Sequence, residues 1–202
     1  MNLYNSSDIN VFLDISTYCN AGCPQCHRTS KNNKLKKIDW LPLIQWSIED
    51  FQKAFPIEEM KNVQKFSIVG TWGDPIMNKD FDKIVDYILS NTDKNKTWVN
   101  VHTNGSLRDE EWWWKLGAAS GNRLRVVFAV DGIHQEMHER YRRFTILDKI
   151  LKNMKSISET DSIINSQTIV FKHNYNYKEQ IMKMCYNNGS TSHEYVTSDR
   201  FE

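Results

Sequence analysis

The sequence has no excess of either charge, since 26 Lys and Arg residues balance 25 Asp and Glu residues at a formal net charge of +1. This balance provides no basis for predicting a nucleic-acid partner or an anionic membrane surface. No apolar run is long enough to cross a bilayer, so we predict no membrane partner. Residues 1–5 lack the basic and apolar regions of a secretory signal. These absences predict a cytoplasmic protein whose thiols stay reduced.

Low-complexity linkers and short repeats are also absent, and the length of 202 residues suits a single domain over residues 1–202. Strand-like and helix-like segments alternate along this domain. The predicted strands are residues 10–15, 65–69, 98–102, 123–130, 166–172 and 194–198. The predicted helices are about residues 41–55, 81–89, 109–118, 144–157 and 178–187.

Six strands that alternate with helices predict repeated βαβ units and a parallel sheet. An eight-unit barrel typically needs about 250 residues, so this chain is short for a closed one. We therefore predict an α/β fold, a partial (β/α)6 barrel of parallel strands. In such folds the active site lies at the carboxyl ends of the strands.

Cysteine is scarce, but three of the four cysteines, Cys19, Cys23 and Cys26, stand within eight residues. They follow the apolar residues 11–15, which read as a buried strand, so their loop leaves the carboxyl end of that strand. Thiolates are the usual ligands of iron–sulfur clusters, and three of them leave one iron of a cubane cluster without a protein ligand. An open metal position is where chemistry takes place at catalytic metal sites.

Other interpretations of the cysteines are a zinc site and a disulfide. His27 would complete a Cys3His zinc set, although its position directly beside Cys26 makes a tetrahedron with all three thiolates awkward. A disulfide lacks the secretory context in which it forms. The fourth cysteine, Cys185, follows a helical pattern with Ile181 and is interpreted as a buried core residue.

The C-x3-C-x2-C spacing after a first strand resembles that of the radical S-adenosylmethionine (SAM) superfamily, whose core is the same partial barrel. The resemblance implies that Cys19, Cys23 and Cys26 hold one [4Fe-4S] cluster, whose fourth iron binds the amino and carboxylate groups of SAM. It also implies reductive cleavage of SAM to a 5′-deoxyadenosyl radical, which abstracts hydrogen from a substrate. No catalytic residue is assigned beyond the cluster ligands. The absence of a second cysteine group predicts a core without an auxiliary cluster.

Motifs at the ends of the later strands resemble the SAM-binding motifs of that family. Residues 70–75, Gly-Thr-Trp-Gly-Asp-Pro, resemble its Gly-Gly-Glu-Pro motif, and residues 103–105 resemble its Thr-Asn-Gly. Residues 129–142 resemble its S-x-D-G…H-x-x-x-R passage, with Ala129 in place of the serine. The resemblance implies SAM contacts at Gln25, Thr71, Trp72, Gly73, Asp74, Asn104, Asp131, Arg142, Asn174 and Val196.

Among these residues, Arg142 suits the SAM carboxylate because a guanidinium group presents a planar fork of donors. Arg143 is the alternate for this role. Asn174 is expected on strand five, and Val196 is expected to offer backbone groups to adenine. His134 and His138, four residues apart, are interpreted as a surface pair.

The resemblance implies a low-potential electron donor of the flavodoxin or ferredoxin type. The substrate stays open between a peptide or protein and a small molecule, since a fold does not determine its substrate. An uncovered sheet edge suits a large substrate or a homo-oligomer. A second class of function is non-catalytic, either an iron–sulfur electron carrier or a zinc-stabilised binding domain. An electron carrier needs no SAM pocket and usually needs a fourth cysteine ligand.

Overall fold

The computed structural model describes residues 9–30, 32–33 and 36–197. The strands are β1 Ile9–Leu13, β2 Val63–Ile68, β3 Trp98–Thr103, β4 Leu124–Ala129, β5 Ile163–Ile169 and β6 Ser192–Val196. The α-helices are α1 Ile48–Ala54, α2 Ile57–Met60, α3 Phe81–Ser90, α4 Glu110–Ser120, α5 Gln135–Glu139, α6 Leu147–Ile157 and α7 Lys178–Asn187. No helix among the described residues is long and apolar enough to span a bilayer.

The strands form one sheet in the order β1-β2-β3-β4-β5-β6, and every neighbouring pair is parallel. Each strand therefore lies beside the next strand of the sequence, and a helical connection separates them. Because β1 and β6 form the two edges, the sheet is not closed into a barrel. This arrangement confirms the predicted α/β fold with a parallel, open sheet. All six carboxyl ends meet at one edge of the sheet.

The hydrophobic core lies between the outer face of the sheet and the helices. In β3, Val99 and Val101 are fully buried on this face, as are Phe81 and Ile84 of α3. The alternate positions of β3, including Asn100 and His102, are half-buried on the inner face. This alternation follows from the two-residue period of a strand. The inner face is thus free to carry polar side chains.

Two predicted helices are shorter than the sequence pattern indicated. The first begins at Ile48 rather than at residue 41, because Ser47 and Asp50 form a capping box there. The other begins at Leu147, and Phe144 stands outside it with a φ of +65° and a side chain that is 61% exposed. The backbone N–H of Thr145 donates to the carbonyl of Arg142, so the chain turns before the helix starts.

The predicted bounds of β5 and β6 were also wrong. β5 begins at Ile163 and ends at Ile169, three residues before the predicted end. The backbone N–H of Phe171 donates to Oδ1 of Asn174, and this turn places Asn174 in the loop after the strand. β6 ends at Val196, and the predicted last residue 198 lies outside the described residues.

Candidate active site

The three neighbouring cysteines open into one cavity of about 140 Å³ at the carboxyl edge of the sheet. All three are free thiols. The cavity is lined by loops after β1, β2 and β3 and by inner-face residues of β3, β4 and β5. The lining residues are Cys19, Ala21, Cys23, Cys26, Arg28, Thr29, Gly70, Gly73, Asp74, His102, Thr103, Asn104, Val127, Ala129, Arg142 and Gln167.

Hydrogen bonds hold the cysteine loop in place, and one of them runs from the N–H of Ala21 to Sγ of Cys19 at 3.4 Å. The N–H of Cys26 donates to the carbonyl of Cys23 at 3.1 Å, and the hydroxyl of Thr29 donates to the same carbonyl at 2.8 Å. On the other side, the N–H of Gly22 donates to the carbonyl of Arg143 at 3.0 Å. The backbone therefore positions the thiols for a group in the cavity.

The chemistry of these thiols fits a cationic metal centre. Burial, together with the charge of Asp74, raises the pKa of Cys19 to about 12, and burial also raises the pKa of Cys23. A buried thiolate is costly without a nearby cation, and a bound metal deprotonates a coordinating thiol outright. Within the part of the chain that the structure describes, no three His, Cys, Asp or Glu side chains are grouped around a single ion. A cubane cluster requires no such grouping, because each thiolate binds a different iron.

The loop after β2 is locked against the cysteine loop. The N–H groups of Thr71 and Trp72 donate to Oδ1 of Asp14 at 2.9 and 3.3 Å. A Cβ atom on Gly73 would lie 2.2 Å from the carbonyl oxygen of Ser16, so only glycine fits there. The backbone on either side of Trp72, at Gly70 and Gly73, consequently lines the cavity. Asp14, which orients this loop, was missed by the sequence analysis because a single acidic residue after a strand has no distinctive pattern.

Asp74 joins the loops after β2 and β3. Its buried carboxylate accepts hydrogen bonds from the N–H of Ile76, the hydroxyl of Thr103 and the N–H of Asn104, at 2.8 to 3.0 Å. Burial raises the pKa of Asp74, and these hydrogen bonds oppose the shift. The carboxylate is thus fully engaged by protein donors, although the residue lines the cavity.

Asn104 supports the first cysteine. Its amide nitrogen donates to Oδ1 of Asn20 at 2.8 Å and lies 4.0 Å from Sγ of Cys19. Its amide oxygen accepts from Ser106, whose hydroxyl in turn accepts from the amide of Asn20. This closed set of bonds places Asn104 behind Cys19, at the wall of the cavity.

Arg142 supplies the positive charge at the other side of the cavity. Its Nε donates to Oδ2 of Asp131 at 2.6 Å, and Oδ1 of Asp131 accepts from the N–H of Ile169 at 2.7 Å. Burial lowers the pKa of Arg142, but the negative charges of Asp131 and Cys23 together have the larger effect. The pKa of Arg142 is therefore raised above its ordinary value. The ion pair uses Nε, and the guanidinium also hydrogen-bonds the side chain of Cys23, so its positive charge faces the cysteines and the cavity.

His138, which lies four residues before Arg142, is not the surface residue that the sequence predicted. His138 is fully buried, and its Nδ1 accepts from the N–H of Asp131 at 3.2 Å. Because Nδ1 accepts, Nε2 carries the proton and donates to the hydroxyl of Thr145, which donates to the carbonyl of Arg142. Burial and the charge of Arg142 lower the pKa of His138 to about 3. The prediction was wrong because α5 is a short helix whose face with His138 packs inward.

Several residues predicted to contact SAM do not line the cavity. Asn174 is fully buried, and its amide nitrogen donates to the carbonyls of Asp131 and Ile169 at 3.1 and 3.0 Å. The carbonyl of Val196 accepts from the N–H of Val170. The predicted residues outside the lining are Gln25, Thr71, Trp72, Asp131, Asn174 and Val196.

Other lining residues were missed by the sequence analysis. His102, Val127 and Gln167 project from the inner faces of three adjacent strands, and Arg28 donates from Nε to the carbonyl of Thr17 at 3.1 Å. Burial lowers the pKa of His102, and Glu194 opposes the shift. The two-residue alternation of β3 and β5 was the signal that could have identified the inner-face residues.

Comparisons with known proteins agree with this geometry. The model of the Radical SAM superfamily matches residues 13–185. This chain belongs to the radical SAM superfamily. An uncharacterized protein of Methanocaldococcus jannaschii is 25% identical over 181 residues, which cover 86% of this chain and 57% of that protein.

Three solved structures show the same fold at low sequence identity. SuiB of Streptococcus suis bound to SAM has a TM-score of 0.73 at 16% identity, over 94% of this chain and 40% of that one. The protein anSMEcpe with bound SAM has a TM-score of 0.70 at 16% identity, over 94% and 52%. Methylornithine synthase has a TM-score of 0.65 at 13% identity, over 96% and 55%. The radical SAM chain therefore spans about half the length of the proteins it matches, and its fold is the partial barrel that they share.

Proposed function

We propose that this protein is a radical SAM enzyme that binds one [4Fe-4S] cluster through Cys19, Cys23 and Cys26 and cleaves SAM to a 5′-deoxyadenosyl radical. One observation carries the proposal: the three free thiols open into the same cavity as Arg142 and the backbone of Gly70 and Gly73. Thiolates suit the cluster, and the guanidinium and the glycine backbone suit the amino-acid end of SAM.

In this mechanism the protein positions the reactants. When bound, the cluster supplies the electron that breaks the carbon–sulfur bond of SAM. Arg142 would pair with the carboxylate of SAM, and Asp131 keeps the guanidinium in position through Nε. Gly70 and Gly73 let this loop pack closely on itself and on the cysteine loop, and their backbone at the cavity would face the amino group of SAM. Asn104 keeps Cys19 at the cavity wall.

The remaining residues that the family resemblance implies as SAM contacts fall into two groups. Some have their polar atoms hydrogen-bonded within the protein, and the others are still candidates for contact. Asn174 has its amide nitrogen and oxygen engaged within the protein, so we assign it to support of the loop after β5. Asp74 and Asp131 support neighbouring loops in the same way. Gln25, Thr71, Trp72 and Val196 are kept as contacts to be tested by substitution.

A peptide or protein is the substrate class that we favour. SuiB has been solved with its precursor peptide SuiA, and anSMEcpe has been solved with bound peptides, although these likenesses concern the fold. In this chain, the inner face of the sheet presents half-buried polar side chains at Asn100, His102 and Gln167. In a closed barrel that space is packed with bulky apolar residues. A polar inner face suits a large polar substrate better than a packed core.

The other expectations stay predictions of the proposed function. An electron donor of the flavodoxin or ferredoxin type is required by the reductive chemistry. A homo-oligomer would cover an edge strand of the open sheet. A cytoplasmic location would keep the thiols reduced. A small-molecule substrate is the second candidate, since one of the solved relatives is a methylornithine synthase.

The first test is anaerobic reconstitution with iron and sulfide, followed by dithionite and SAM. We expect a brown protein that forms 5′-deoxyadenosine, measured by liquid chromatography with mass detection. Cys185→Ala is the matched control, because Cys185 is buried on α7 and does not line the cavity. A colourless protein that binds stoichiometric zinc and ignores SAM would instead show that the cysteine loop is structural.

A further inference from the structure

An exposed surface of aromatic and basic side chains lies beside the cysteine loop. We call it the Trp40 surface, and it consists of His27, Lys36, Lys37, Trp40 and Trp72. Trp40 is 69% exposed, although its ring contacts Trp72 edge-on with centroids 5.4 Å apart. The ring of Trp72 in turn lies 6.1 Å from that of His27, the residue that follows Cys26. A row of three aromatic rings therefore leads outward from one of the proposed cluster ligands.

The backbone folds the basic residues of this surface back onto the cysteine loop. Thr29 and Lys37 form an antiparallel bridge, and the N–H of Ser30 donates to the carbonyl of Lys36 at 2.9 Å. Thr29 is itself bonded to the cysteine loop through the carbonyls of Cys23 and Cys26. The lysines are consequently held close to the cluster site.

The charge of this segment is net positive, in contrast to the balance of the whole chain. Residues 27–40 contain Arg28, Lys31, Lys34, Lys36 and Lys37 against one acidic residue, the exposed Asp39. The side chain of Lys36 is exposed, whereas Lys37 donates from Nζ to the carbonyls of Ile38 and Leu41 and is partly buried. A local positive excess attracts partners with a negative surface and speeds their association.

Trp40 is too exposed to contribute to the core of the domain. Its neighbours Leu43 and Ile44 are also exposed, at 43% and 53%. Exposed aromatic side chains are typical of protein interfaces, where Trp is enriched. Both the apolar centre and the charge of the Trp40 surface therefore indicate a protein partner.

We propose that the Trp40 surface docks an acidic electron-donor protein, which delivers its electron to the cluster on the Cys26 side. The inference rests on the proposed function, because only a cluster that must be reduced needs such a partner. In the transfer, the donor loses one electron and the cluster gains it. No covalent bond forms or breaks between the two proteins.

The test compares two sources of electrons in the reconstituted protein. Photoreduced flavodoxin is an acidic protein donor that needs a docking surface, whereas dithionite is a small reductant that does not. The variants are Trp40→Ala and Lys36→Glu. The matched controls are Trp114→Ala on α4 and Lys155→Glu on α6, which are also exposed but lie on helices at the outer face of the sheet. The readouts are the rate of 5′-deoxyadenosine formation at limiting flavodoxin and low salt, and the dissociation constant of oxidised flavodoxin measured by isothermal titration. We expect the two variants to weaken flavodoxin binding and the two controls to leave it unchanged.

We expect Trp40→Ala and Lys36→Glu each to lower the flavodoxin-driven rate about five- to tenfold, with the dithionite-driven rate unchanged. Added salt should slow the wild-type protein more than Lys36→Glu, because screening removes the attraction that the variant has already lost. Equal flavodoxin-driven rates in all variants would overturn this inference alone. Equal losses with both reductants would also overturn it, because the surface would then support the fold or the cavity. Absence of 5′-deoxyadenosine with dithionite would overturn the proposed function, and this inference with it.

Discussion

Asp131 and Arg142 form an ion pair 2.6 Å long in which the carboxylate is fully buried and only 16% of the arginine side chain is exposed. The pair connects the loop after β4 with the end of β5, because the second oxygen of Asp131 accepts from the N–H of Ile169. One residue of the pair lines the cavity and the other does not. The position of the Arg142 guanidinium in the cavity therefore depends on Asp131, which lies behind it.

Replacement of Asp131 by Asn should leave the cation of Arg142 buried without its counter-charge. Loss of one partner of a buried ion pair typically costs about 3–5 kcal/mol in the free energy of unfolding. Urea unfolding would measure this loss, and isothermal titration of the reconstituted protein would measure weaker SAM binding. Asp148→Asn, which breaks the exposed pair with Lys152, is the control and should change neither quantity measurably. A stable Asp131→Asn protein with normal SAM affinity would contradict the proposed role of the pair.

Replacement of any one of Cys19, Cys23 and Cys26 by Ala should abolish the cluster and SAM cleavage. The reason is that a cluster held by two thiolates lacks a ligand for another iron. Iron and sulfide content and visible absorption measure the outcome. Cys185→Ala should keep the full cluster and lose about 1 kcal/mol of stability, since it removes a small buried side chain. Full cleavage activity in any of the three loop variants would refute the assignment.

The free energy of unfolding should fall as pH is lowered from about 6.5 toward 3, and His138 should contribute to the slope. Burial and Arg142 lower the pKa of His138 to about 3, so in this window the unfolded chain binds a proton that the folded one excludes. One such proton corresponds to about 1.4 kcal/mol per pH unit. His138→Gln should flatten the slope by up to this amount in urea titrations at several pH values. A wild-type slope in His138→Gln would show that His138 is not excluded from protonation in the folded protein.

Replacement of Asp14 by Ala should weaken SAM binding while the cluster is retained. The substitution removes the acceptor for the N–H groups of Thr71 and Trp72, which hold the loop between Gly70 and Gly73. Two lost hydrogen bonds to a charged group correspond to roughly 3–6 kcal/mol, part of which should appear as weaker SAM binding. Titration with SAM and iron analysis on the same sample separate the two effects. Loss of iron together with SAM affinity would indicate that Asp14 supports the whole cavity.

The sequence by itself determined the parallel α/β fold, because the order of strands and helices follows from local periodicity and each strand needs only its sequence neighbour as a partner. The helix Lys178–Asn187 has the bounds that its pattern predicted. The place of the cysteines could also be predicted from the sequence, because their spacing is local. Their position after β1 puts them at the carboxyl edge of the sheet.

The tertiary structure alone decided which side chains share the cavity. Arg28, His102 and Gln167 line the cavity from three distant segments, and His138 is buried because its short helix packs inward. Asn174 closes the loop after β5 with all its amide atoms. The sequence pattern had placed it on strand five, where the family resemblance implied a SAM contact. The physical reason is that burial and hydrogen bonding across loops depend on contacts between residues far apart in the sequence, which no local pattern encodes.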